Sequence, residues 1–447
     1  MHRLTRLLKQ KWYPIVPQIV VTALFGFMIL DLLIGQREAG KNPGSIITWL
    51  FWWPLVPITF IFVGRLWCAI CPFGALGDWL RRHFGLNRAA PAWLKKYGIW
   101  VINGGFFLIS WYEVTFGLTK SVPATTVVLL TVFFAAAMFS LVYERRTWCR
   151  YLCFLGGIFG NYSQTAAIEL RGTKDICAAC TKQNCFHGNG EIGGCALFIS
   201  PKTMNSNRTC NFCGDCVKTC ENDSPEVRLR EKAGNELWQK LRPRFDESFL
   251  AVSLVGIIFI STLGMLVIWP PLVNLIAPVG IFTKEVIVTL YLVLVVGAGI
   301  GVYAGAAWLS AKLAKENFVA NFSRFGYGLI PLNLATHIAH NLMHFLGEGK
   351  LIGQAVLTLF LPTISKAAEN QAAAPAEHGA SALVPMALIE PLQFAVVGVG
   401  ILFSFYVIKK ISDRDKTGLS SWPHYVVVAL FGFIGFWLFS LPMLPRH

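Results

Sequence analysis

The sequence predicts a polytopic α-helical membrane protein of about nine transmembrane helices, interrupted between its fourth and fifth spans by a small polar segment rich in cysteine. Three observations predict this class. Of the 447 residues 55% are apolar and only 14% are charged, and the mean hydropathy is +0.54. Apolar runs of about 20 residues, the length that crosses the hydrocarbon core as a helix, recur along the chain. Basic residues collect in alternate loops, as they do on the cytoplasmic side of a membrane. The net charge of +15 accompanies no basic recognition motif, so the partner it implies is membrane lipid and not nucleic acid.

The first span is expected over residues 17–34, behind a basic head of Arg3, Arg6, Lys9 and Lys11. That head belongs inside. No small-residue cleavage site follows it, so this run is expected to stay in the membrane. The second span, 46–64, leads into Arg65, Arg81, Arg82, Arg88, Lys95 and Lys96, an inside loop. The third and fourth, 97–118 and 122–143, return the chain to Arg145, Arg146 and Arg150. The next segment therefore faces the cytoplasm.

Five more spans are expected at 249–268, 286–309, 327–345, 384–408 and 425–441. This topology leaves only Arg37, Lys41, Lys120, Lys284, Lys350, Lys366 and Arg446 outside, of 39 lysines and arginines. It places the N-terminus inside and the C-terminus outside, in a cytoplasmic (inner) membrane. The apolar run 351–361 is too short to span and reads as interfacial or re-entrant. The alanine-rich stretch 365–381 reads as an external loop. Three domains result: a four-span duplicated hairpin (1–160), a cytoplasmic cysteine-rich domain (161–247) and a five-span C-terminal module (248–447).

The cysteine-rich domain is too polar to build a large core, and a domain of that kind is held by its cofactors. Its last four cysteines, Cys210, Cys213, Cys216 and Cys220, follow C-x₂-C-x₂-C-x₃-C, which is iron–sulfur ligand spacing. Four more precede them: Cys177, Cys180, Cys185 and Cys195. Eight thiols serve two [4Fe–4S] clusters; a zinc ribbon or a disulfide scaffold is the competing reading. In two-cluster ferredoxins the fourth cysteine of each run crosses to the other cluster. Crossing gives Cys177, Cys180, Cys185 and Cys220 to the first and Cys195, Cys210, Cys213 and Cys216 to the second. Sequential pairing exchanges Cys195 with Cys220. His187 is a further ligand candidate, or a polar loop residue.

The other four cysteines lie in a repeat. Arg65-Leu-Trp-Cys68-Ala-Ile-Cys71-Pro72 follows the second span, and Arg146-Thr-Trp-Cys149-Arg-Tyr-Leu-Cys153 follows the fourth. Each is followed by an aromatic residue and spaced glycines, so a helical hairpin has been duplicated. Both copies cross in the same sense, which brings the two cysteine pairs to one depth. Three readings stay open: a third iron–sulfur or other metal centre, redox-active dithiols activated by the arginines, and buried structural cysteines. A disulfide is disfavoured in a reducing compartment.

These paired Trp-Cys motifs, with a ferredoxin segment on the same side, resemble the NosR/NapH type of membrane-bound polyferredoxin over about residues 1–247. The resemblance implies electron transfer between the quinone pool, or a cytoplasmic reductant, and a periplasmic or membrane redox protein. The chain departs from the type in four ways. Glu221 stands where proline usually follows the fourth cysteine, and the first run is C-x₂-C-x₄-C with Cys195 ten residues on. The flavin domain of the NosR branch is lacking, and five extra spans are present.

The seventh expected span carries Asn333, His337, His340, Asn341 and His344, with Glu348 beyond. Ionisable residues at membrane depth mark function by default. His340 and His344 form an i, i+4 pair on one helix face. A b-type haem, a metal site, or a quinone and proton site with Glu390 as relay are the chemical readings; helix–helix hydrogen bonding is the plain one. Haem needs ligands on both sides of the iron, and His378 and His424 are poorly placed to supply the second. No C-x-x-C-H motif for covalent haem and no phosphate-cradling glycine loop occurs. The predicted function is membrane electron transfer, with quinol oxidation as the reaction it would couple to. A cluster-based sensor or assembly factor, and a redox-linked ion transporter hinted at by Pro331 and Pro391, are the rivals.

Overall fold

The computed structural model describes residues 3–239, 242–276, 283–360 and 382–444. Among them eight helices are long and apolar enough to cross a membrane: Ile15–Ile34, Pro43–Phe84, Ala92–Phe116, Val122–Val142, Phe245–Leu263, Lys284–Ala314, Met386–Asp415 and Gly418–Phe439. The chain is a multi-pass helical membrane protein. The remaining expected span, 327–345, is a 3₁₀ turn, Gly326–Leu329, running into the helix Ile330–Gly347. Its asparagines and histidines dilute the apolar residues, and most of its side chains are buried, so protein rather than lipid surrounds them. The expected loop 365–381, His378 with it, lies outside the described residues.

The second span is locally broken. A short helix, Pro43–Ile46, passes into a π-helical turn, Ile47–Trp52, then a helix, Trp53–Val63, that contains Pro57. Proline lacks the N–H that the i→i−4 ladder needs, and a π turn is one way the ladder shifts register. The short apolar run is an eleven-residue helix, Lys350–Phe360, whose Leu351, Ile352 and Ala355 pack on Ile46 and Leu50.

The chain divides into two compact units. The first comprises residues 1–27, 59–105 and 129–239. Its only described sheet is an antiparallel pair, Ile168–Arg171 with Glu226–Leu229. Ala167 anchors it to the second span by donating its N–H to the Ile61 carbonyl at 2.7 Å. One core cluster gathers Leu8, Tyr13, Ala69, Leu170, Phe212, Val217 and Val227. The N-terminal helix Arg3–Lys9 thus closes over the cysteine segment, and the Tyr13 hydroxyl donates to the Phe212 carbonyl at 2.9 Å.

The second unit comprises residues 28–58, 106–128 and 240–447. Here the Ile330–Gly347 helix packs along Met386–Asp415, and Phe245–Leu263 along Lys284–Ala314. Small residues permit the close approach, as in membrane helix pairs generally. A Cβ at Gly400 would lie 2.3 Å from the Ala335 Cβ, and one at Gly256 would lie 2.6 Å from the Val296 Cα.

Candidate iron–sulfur and thiol sites

Short helices and tight turns present the cysteines of the first unit. Cys177 sits on Lys174–Ala179, and Cys180 ends that helix. Cys185 lies on Asn184–His187, and the Cys195 N–H donates to the Cys185 carbonyl at 3.1 Å. Cys216 lies on Asp215–Lys218, whose N-cap is Gly214 at φ 83°. Only a residue free of Cβ crowding takes that conformation easily.

Two cavities result. One is lined by Cys177, Cys180, Cys185 and Cys220 together with Ile176, Ser224 and Pro225. The other is lined by Cys195, Cys210, Cys213 and Cys216 with Leu170, Met204 and Phe212. The structure thus brings Cys220 back to the first three cysteines and carries Cys195 to the last run. The sulfurs surround a volume: among the described residues no three His, Cys, Asp or Glu side chains close around a single-ion position.

Burial pushes the Cys210 thiol up to about 12, and Cys213 and Cys216 well above their ordinary value. Left bare, these sulfurs keep their protons; a cationic core is what makes them thiolates. At the first cavity Glu221 binds Lys182 at 2.8 Å and Asn184 at 3.1 Å. The Lys182 hydrogen bond holds its carboxyl below the usual range. The residue standing in place of proline therefore ties the loop of Cys185 to that of Cys220. His187 contributes its carbonyl to Arg145 at 3.3 Å.

The duplicated motif folds alike in both copies. Cys68 and Cys149 lie on short helices, Trp67–Ile70 and Thr147–Tyr151, and Cys71 and Cys153 are the N-caps of Pro72–Phe84 and Phe154–Tyr162. All four thiols gather. Burial raises Cys153 to about 12, and Cys68 and Cys71 both add to the effect. Burial also raises Cys149, against the pull of Arg146 and with contributions from Cys153, Cys71 and Cys68.

Each copy's arginine reaches into the other copy. Arg146 donates to the Cys68 carbonyl at 2.9 Å and would lie 3.4 Å from a Cβ at Gly74. Arg65 would lie 3.5 Å from a Cβ at Gly156, and it donates to the Arg208 carbonyl at 2.6 Å. Burial opposes the charge of Arg146, but Asp78, Cys149 and Cys213 hold it. This exchange was missed in the sequence, although the signal was there: both arginines stand three residues before the first cysteine of their copy.

In the second unit the histidines meet different partners, although the His340 and His344 rings lie 5.4 Å apart. The His337 ring lies 5.5 Å from that of Trp53. His340 Nδ1 is 2.9 Å from Thr262 Oγ1, and His344 Nε2 is 3.1 Å from Met265 Sδ. His424, bonded to Asn321 at 2.8 Å, is not brought to them. The expected relay Glu390 is exposed; Gln393, one turn on, donates to the Ala339 carbonyl at 2.8 Å. A carboxylate not foreseen here, Glu113, accepts from Ser261 at 3.3 Å.

A 4Fe-4S binding domain family model matches residues 45–91 and 125–165, which are the two copies of the hairpin with their cysteine pairs. The chain is 25% identical over 196 residues to the ferredoxin-type protein NapH of Escherichia coli (strain K12), covering 40% of this chain and 68% of that protein. It is also 25% identical over 199 residues to the putative electron transport protein YccM of the same strain, covering 37% of this chain and 52% of that one. No solved structure matches.

Proposed function

We propose that this chain, a NapH-like membrane protein with a 4Fe-4S binding domain, passes electrons between the quinone pool or a cytoplasmic donor and a redox partner at or across the membrane. The observation that carries this reading is the pair of four-cysteine cavities. Their linings favour crossed ligation: Cys177, Cys180, Cys185 and Cys220 for one [4Fe–4S] cluster, Cys195, Cys210, Cys213 and Cys216 for the other. Cys68, Cys71, Cys149 and Cys153 form the third centre, a reading supported by the family match on both copies. A bound cluster supplies one-electron storage, and the residues around it set how readily it is reduced.

The chain's own contribution is ligation, charge and exclusion of water. Leu170, Met204 and Phe212 give the second cavity an apolar wall. Arg146 touches the charge of both Cys149 and Cys213, so one buried cation serves neighbouring sites and favours added negative charge at each. Basic loops support a cytoplasmic position for the clusters, in an inner membrane.

Metal analysis after anaerobic purification tests this. The proposal expects about eight irons per chain from the two cavities and about twelve with the third centre. Eight alone would remove the third centre. Stoichiometric zinc with iron near zero would overturn the whole reading.

A further inference from the structure

A buried positive charge with no carboxylate paired to it stands where the hairpin thiols meet the second cavity. Arg65 is 5% exposed. Among the described residues it makes no ion pair: its Nη1 donates to the Arg208 carbonyl at 2.6 Å, and its Nε has no partner. Arg146, its counterpart in the other copy, differs, because Asp78 neutralises it at 2.8 Å. An uncompensated charge in the interior is strongly destabilising, so buried cations are found with an anion. Cysteines on two sides of Arg65 can supply one.

On one side, Arg208 precedes Cys210 by two residues. Its carbonyl, which Arg65 holds, would also lie 3.1 Å from a Cβ at Gly160 of the second hairpin copy. On the other side, Arg65 Nη2 would lie 3.5 Å from a Cβ at Gly156, three residues after Cys153. The two cysteine groups are in contact as well. Ala69, between Cys68 and Cys71, shares a core cluster with Phe212, between Cys210 and Cys213, and Cys210 and Cys216 pack on that cluster. Burial raises the thiols of Cys153 and Cys210, and the charge of Arg65 acts against it at both. In the first cavity Cys185 is raised by burial and then by its own companions Cys220, Cys177 and Cys180.

We propose that Arg65 is the counter-cation shared by two metal–sulfur centres, one held by Cys195, Cys210, Cys213 and Cys216 and the other by Cys68, Cys71, Cys149 and Cys153. This rests on the iron–sulfur reading of both thiol groups. Arg65 ligates nothing; it is a positioning residue that acts through its charge. A cation favours the more negative, reduced state of a neighbouring centre, so Arg65 raises the potential of both. In a transfer between them one centre is oxidised by one electron and the other is reduced by one, with no bond made or broken and no proton moved. Neither state leaves Arg65 without a counter-charge, because the electron stays beside the same guanidinium.

Redox titration of the full chain, purified anaerobically in detergent and followed by electron paramagnetic resonance, tests this. Signals are assigned by their loss in Cys213→Ser, Cys153→Ser and Cys177→Ser. In Arg65→Gln the first two signals are expected to become about tenfold harder to reduce, about 59 mV for one electron, while the third stays in place. Arg65→Lys should restore most of the shift. Movement of only one of the two signals, of neither, or of all three alike overturns the proposal. Where Arg65→Gln fails to assemble, iron retained in Arg65→Lys supports the need for charge, and iron lost from both variants overturns it. The iron count of the parent separates this proposal from the reading beneath it. About eight irons removes the hairpin centre and both ideas with it; about twelve with unmoved signals overturns the role of Arg65 alone.

Discussion

Arg146 of the second hairpin copy donates its Nη1 proton to the carbonyl of Cys68 in the first, at 2.9 Å. A cysteine loop of one copy is therefore shaped by a side chain of the other. The guanidinium also meets Asp78 at 2.8 Å, with the two side chains 4% and 14% exposed. Duplication alone would give two independent motifs; this exchange makes them one site.

Asp78→Asn is expected to destabilise the protein by about 3–5 kcal/mol, because it leaves the Arg146 charge buried without its partner. Replacing both residues by apolar ones of similar volume should recover most of that loss. Thermal unfolding in detergent, monitored by tryptophan fluorescence, measures both. Equal stability of Asp78→Asn and the parent chain would show that the pair contributes no net order.

Glu236 organises the approach to Cys210. Its carboxylate accepts from Arg171 at 2.5 Å and from the Asn207 N–H at 2.9 Å, pairs with Arg230 at 2.9 Å, and takes the Ser206 hydroxyl at 2.7 Å. Glu236→Gln keeps the shape but removes the charge facing two arginines. The expected cost is about 3 kcal/mol or more, together with loss of iron from the cavity of Cys210. Iron content per chain before and after mild heating reads this out; retention of all iron would contradict it.

Much of this architecture was legible because it rests on local signals. The spans announce themselves by length and apolarity, and the eight clustered cysteines by spacing. Histidines on one span suggested a polar helix, and its polarity is what sets Ile330–Gly347 apart from the eight apolar helices. Long-range pairing was not legible. Nothing in the spacing of Glu113 says that it will meet Ser261, 148 residues away. Glu390 looked like a relay because it lies beside Pro391, yet helix phase turns Ile389 and Gln393 inward and leaves Glu390 exposed. The grouping of residues 1–27 with 129–239 in one unit likewise depends on Leu8 and Tyr13 packing against Phe212, a contact between distant parts of the chain.

Gly214 is expected to be intolerant of any side chain. Its φ of 83° is strained for other residues, and a Cβ there would lie 2.5 Å from the Leu8 carbonyl oxygen. That oxygen is backbone, so relief requires the N-terminal helix to move. Gly214→Ala should cost about 1–3 kcal/mol from the dihedral alone, with the clash in addition. The measurable result is faster loss of the cluster signal in air, since Cys213 and Cys216 flank the turn. A variant as air-stable as the parent would show that the N-terminal helix does not seal this cavity.

Crossed ligation makes a prediction that sequential ligation does not, and double substitutions separate the two. If Cys195 shares a cluster with Cys213, then Cys195→Ser and Cys213→Ser each remove the same cluster, and the double variant removes no more than either alone, about four irons. Cys195→Ser with Cys177→Ser should then remove about eight. Sequential pairing reverses the pattern, because Cys195 would belong with Cys177. Serine keeps the volume but ligates weakly, so the comparison depends on non-additivity within a pair and not on complete loss in any single variant. Iron analysis of the four singles, Cys220→Ser included, and the two doubles, with electron paramagnetic resonance of the reduced protein to identify which signal survives, gives the answer. The cavity linings require Cys195→Ser and Cys213→Ser to abolish the same signal, and Cys177→Ser and Cys220→Ser to abolish the other.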